Sequence, residues 1–116
     1  MGTPSRGERS KGELVQGTLD MLILARLSLG PMHGFGIAER IQQVTDDVLR
    51  IEEGSLYPAL HRLEAQGMIT SEWRASANNR RAKFYALTAR GRKRVGVEVT
   101  NWHRLVAAVA RVIEPV

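Results

Sequence analysis

The chain has 116 residues, of which 43% are hydrophobic and 25% charged, and it has no cysteine. Those proportions describe one folded domain and exclude disulfides and thiolate metal centres. The formal net charge of +5 is unevenly placed: residues 18–67 carry four basic and seven acidic groups, whereas residues 68–116 carry ten basic and three acidic groups.

Residues 1–13 are polar, contain no apolar signal segment, and are expected to form a disordered tail. The longest apolar run, Met21 to Leu29, is interrupted by Arg26 and Ser28. It falls short of the roughly 20 residues a membrane span needs, so a cytoplasmic protein with no membrane partner is expected. Thr18 is expected to cap a first helix reaching Leu29, with Asp20 near its positive end. Apolar residues cover nearly the whole circumference of that helix, which calls for partners on more than one side. One side fits its own domain; the other, including Leu22, fits a second subunit.

Gly30-Pro31 ends the helix, since Gly accepts the left-handed stop and Pro cannot continue. His33-Gly34 opens a second helix to about Val44, with Phe35, Ile37, Ala38, Ile41 and Val44 as its inner stripe. Thr45-Asp46-Asp47 reads as a turn and Val48–Ile51 as a short extended segment. A third helix runs from about Glu53 to Gln66, with Leu56, Leu60 and Leu63 facing inward and Gly67 as terminator. Pro58 suits only a first turn, which argues for a late start near Gly54-Ser55. Tyr57, Pro58, His61 and Arg62 then lie off the leucine stripe.

Met68–Arg74 and Lys83–Leu87 read as an antiparallel pair, joined by the small polar residues 75–79. Between residues 74 and 94 there are eight Arg or Lys and no acid, a field aimed at an anionic partner. Thr88 is expected to cap a last helix over about Ala89–Ile113. There Val95, Val99, Trp102, Val106, Val109 and Ile113 recur at spacings of 4, 3, 4, 3 and 4. That stripe is a seam for a neighbouring helix.

Three helices followed by a basic hairpin is the order of a winged helix-turn-helix, so the expected fold is mainly α with a small β-hairpin. Residues 14–88 form the DNA-binding domain and residues 89–116 a C-terminal dimerisation helix. The third helix would enter the major groove with Ser55, Tyr57, Pro58, His61 and Arg62, and the guanidinium of Arg62 suits bidentate reading of guanine. Arg74, Asn78, Asn79, Arg80, Arg81 and Lys83 of the hairpin would meet a flanking backbone or the minor groove. Two rival classes find less support in the sequence. Catalysis lacks support: His33, His61 and His103 are scattered, and Gly34 and Gly36 lack the strand and further glycine of a dinucleotide fingerprint. His33 fits a helix N-terminus better than a catalytic role. A winged helix that binds only proteins is disfavoured by the basic hairpin. No metal site or cofactor is expected.

The stretches Leu27-Ser-Leu-Gly-Pro-Met-His-Gly-Phe-Gly-Ile37, Gly54-Ser-Leu-Tyr-Pro-Ala-Leu-His-Arg-Leu-Glu64, Gly67-Met-Ile69 and Tyr85-Ala-Leu-Thr-Ala-Arg-Gly91 resemble the PadR-like transcriptional regulators. The resemblance spans about residues 14–113 and points to the compact subgroup with a single C-terminal helix. It implies a winged-helix N-terminal domain and a C-terminal dimerisation helix in a family that mostly represses transcription; two-fold symmetry of such a homodimer makes an inverted-repeat operator on double-stranded DNA the expected partner. It also implies that some relatives release DNA on binding a small aromatic molecule. An effector site in this chain is expected at the subunit interface near Trp102.

Overall fold

The first helix, α1 (Gln16–Leu27), already includes Thr18, which therefore sits inside its first turn and does not cap it. The computed structural model describes residues 16–75 and 77–114, so the tail expected over residues 1–13 lies outside the described residues. Leu19, Met21, Ile23, Leu24 and Leu27 are all buried within the protomer. The all-round apolar character of α1 is thus mostly satisfied by its own domain, which corrects the expectation of an open second side. Leu22 is half-buried against the same core.

After α1, Gly30 takes φ 137°, a conformation closed to residues with a Cβ. Met32–His33 form β1, a strand absent from the sequence reading. Helix α2 (Gly34–Val44) follows, and His33 caps it: the backbone N–H of Gly36 donates to His33 Nδ1 at 3.0 Å. Ile37 and Ile41 are buried as expected, but Phe35 and Val44 are exposed. The inner stripe of α2 is therefore narrower than its composition suggested.

Residues 45–52 link α2 to α3 (Glu53–Ala65) without a strand, so the extended segment expected at Val48–Ile51 does not form. The linker is organised by Thr45 instead. Its Oγ1 donates to the Ile41 carbonyl at 2.9 Å and accepts from the Leu49 N–H at 3.1 Å. Asp46 and Asp47 follow in the left-handed region, with φ of 51° and 66°. Because α3 starts at Glu53, Pro58 stands in the second turn rather than the first. Its ring removes only the hydrogen bond to Gly54, at an exposed helix start where water can replace it. Leu56, Ala59, Leu60 and Leu63 of α3 are buried, and Gly67 ends the helix at φ 76°. The Met68 N–H reaches back to the Leu63 carbonyl and the Gly67 N–H to that of Glu64, each at 3.0 Å, the paired bonds of a Schellman stop.

Strands β2 (Ile69–Ala75) and β3 (Arg81–Leu87) are antiparallel and run from Ile69↔Leu87 to Ala75↔Arg81. The short β1 adds to the other edge of β3, giving the order β1-β3-β2. Thr88 caps α4 (Ala89–Ile113) as expected: its Oγ1 accepts the Gly91 N–H at 3.0 Å and donates to the Gly67 carbonyl at 2.7 Å. Four helices and a three-stranded antiparallel sheet make a winged helix, with one core shared by α1, α2, α3 and the base of the sheet. Val95 still packs on that core, but from residue 100 onward α4 is exposed except at Ala110.

Candidate nucleic-acid interface

Helix α3 is buried on one side by its leucine stripe, so Ser55, Tyr57, Pro58 and His61 project outward. Tyr57 does two things at once. Its ring packs on α2, where a Cβ at Gly34 would come within 3.0 Å of it, while the residue stays 39% exposed. Gly34 is thus the residue that lets the two helices approach at this edge.

Arg62 is placed differently from its neighbours. Its Nη2 donates to Asp20 Oδ1 of α1 at 2.7 Å, and the guanidinium is only partly exposed. The pair ties α3 to α1 across the domain. Burial raises the pKa of Asp20 above its ordinary value, and the Arg62 guanidinium opposes that shift without cancelling it. Arg62 reaches a ligand only by giving up this partner, a constraint invisible in helical periodicity alone.

The hairpin splits its expected residues between two faces, because side chains alternate along a strand. Register places Trp73 opposite Lys83 and Ala75 opposite Arg81, on the face that carries buried Ile69 and Tyr85. Arg74 stands on the other face with Phe84; its guanidinium lies 4.9 Å from that ring centroid, and its Nε donates to Glu72 at 2.9 Å. Asn78, Asn79 and Arg80 form the exposed tip, where Asn79 takes φ 61°.

Helix and hairpin together enclose a groove of about 420 Å³, lined among others by His33, Tyr57, His61, Trp73 and Lys83. Ser71 Oγ donates to Glu64 at 2.7 Å and fixes the hairpin against α3. The sequence reading missed Trp73 and Phe35 as surface residues here. Trp73 shares a strand face with Ser71 and stands opposite Lys83, a register that only the fold reveals. Among the described residues, no group of His, Asp and Glu is arranged to hold a metal ion. No described helix is long and apolar enough to cross a membrane.

Residues 23–97 match the Transcriptional regulator PadR-like family. The chain belongs to that family. Its relatives include Transcriptional regulator Rv3488 of Mycobacterium tuberculosis, 32% identical over 80 residues, covering 69% of this chain and 71% of that protein. Its fold is similar to a transcriptional regulator from Clostridium thermocellum (TM-score 0.78, 28% identity, 85% of this chain and 93% of the other). It is also similar to a PadR family transcriptional regulator from Eggerthella lenta (TM-score 0.71, 32% identity, 87% of this chain and 86% of the other). PadR-like regulators bind DNA, and in this PadR-like chain the β2–β3 hairpin is the wing of the winged-helix fold.

Proposed function

We infer that the protein is a sequence-specific, double-stranded DNA-binding repressor that acts as a homodimer in the cytoplasm and carries out no catalysis. The observation that carries this reading is the juxtaposition of the exposed α3 face with a wing bearing Arg74, Arg80, Arg81 and Lys83. Residues 14–88 serve as the DNA-binding unit. Ser55, Tyr57, Pro58 and His61 meet the major groove, and Arg62 joins them when duplex DNA draws it from Asp20. The wing, with Asn78 and Asn79 at its tip, follows the flanking backbone.

Residues 89–116 serve as the dimerisation helix. The stripe divides in two: Val95 and Val99 stay half-buried, whereas Trp102, Val106, Val109 and Ile113 are exposed in the single protomer. The exposed part is the seam for a second copy, and two-fold closure suits an inverted-repeat operator. A groove of about 240 Å³ between α1 and α4, lined by Met21, Glu98, Trp102 and Leu105, is where a small aromatic effector would enter.

Salt titration tests the wing. Each neutralised phosphate contributes about −0.9 to the slope of log K against log salt. Replacing Arg80 and Arg81 together by Ala is expected to flatten that slope by roughly one to two units, read by anisotropy of a labelled duplex. An unchanged slope means that the wing does not touch DNA.

A further inference from the structure

The groove between α3 and the wing exposes a large aromatic side chain that the core does not use. Trp73 is 57% exposed near the outer end of β2. The Arg81 guanidinium lies 5.6 Å and the Lys83 ammonium 6.0 Å from its ring centroid. Strand register puts all three on the sheet face that turns toward α3, and Tyr57 and His61 stand across the gap. Among the described residues, no acidic side chain lines the groove. Glu72 projects from the opposite face beside Arg74, and Glu64 is held by Ser71.

An acid-free cleft with two cations above an exposed indole fits a chain that alternates anionic and apolar units. A sugar–phosphate strand has that character: phosphates recur along it, and the deoxyribose between them presents an apolar face. We propose that this groove seats one backbone strand of duplex DNA, with Arg81 and Lys83 on phosphates and the Trp73 indole packed against the intervening deoxyribose. The proposal rests on the reading of α3 and the wing as the DNA-binding face, and it adds Trp73 as a contact residue. Holding the cations over the indole in the free protein keeps both on the groove side, so they need little reordering when a phosphate arrives.

Two measurements on the full chain test it. In a Trp102→Phe background, checked first to keep its dimeric mass and its duplex affinity, Trp73 is the sole tryptophan, and saturating duplex is expected to shift its emission and shield it from acrylamide. This measurement retains the native residue and does not depend on a wing variant folding. Separately, Trp73→Ala is expected to weaken binding by about tenfold, the scale of one lost aromatic packing contact. The loss should be equal on selected and random duplexes, because the backbone carries no sequence information, and the salt slope should hold because no charge is removed. Trp73→Phe should recover part of the loss. Unchanged affinity in Trp73→Ala, or unchanged Trp73 emission and quenching, overturns the proposal while leaving the DNA-binding reading intact. A loss confined to the selected sequence also overturns it, by placing the indole on a base. Failure of the unaltered protein to bind any duplex is seen before any variant is made, and it removes both readings.

Discussion

Introducing Val106→Glu and Val109→Glu together is expected to give monomers that no longer bind DNA specifically. Beyond residue 100, α4 leaves its own domain and carries Trp102, Leu105, Val106, Val109, Val112 and Ile113, all at least 41% exposed. At 100° per residue these six fall within one face of the helix about 120° wide. An exposed apolar face of that length marks an interaction surface. Each ionised carboxylate forced into an apolar seam costs several kcal/mol, so two at its centre outweigh the association. Folding of the winged helix should survive, because neither valine belongs to the buried core. Sedimentation velocity reads the mass and a duplex titration the binding. A double variant that remains dimeric and still binds its operator places the dimer interface elsewhere.

The second large effect is expected at Gly91. A Cβ there would run into the Met68 carbonyl oxygen and also approach Leu87 within 2.9 Å. The carbonyl is held in place, since it accepts from the Thr88 N–H at 3.0 Å. This junction joins the end of the wing to α4. Gly91→Ala is therefore expected to destabilise the protein by roughly 3 kcal/mol, lowering Tm by about 10 °C or more. Gly96, in the same helix, is the control: a Cβ there meets nothing within 4 Å. Gly96→Ala should raise stability by up to about 1 kcal/mol through helix propensity alone. Equal Tm changes in the two variants would refute the close-approach argument.

The order of helices and hairpin was legible because each element carries its own local signal. Leu56, Leu60 and Leu63 repeat at helical spacing, Gly30-Pro31 and Gly67 punctuate, and Thr88 caps. What escaped depends on tertiary partners. Two-residue β1 has no periodicity to detect and exists because Met32 and His33 pair with Tyr85 and Phe84. Phe35 and Val44 look like core by composition, yet α2 turns them to solvent. Arg62 reads as a free base-contacting side chain until the fold brings Asp20 to it from 42 positions away. The candidate interface was legible as a set of residues and not as two faces: the register that sends Trp73, Arg81 and Lys83 toward α3 also sends Arg74 away from it. The seam on α4 was legible as a stripe; that its first part would pack on the domain and only its last part stand free was not.

Selection from random duplex DNA by the purified protein tests the central claim most directly. The account predicts enrichment of an inverted repeat whose half-sites lie about 10 base pairs apart, the spacing of successive major grooves on one side of the duplex. It also predicts that the Arg80→Ala, Arg81→Ala double variant binds the enriched site more weakly. A pool that stays random through repeated rounds, although the protein is folded, would contradict it.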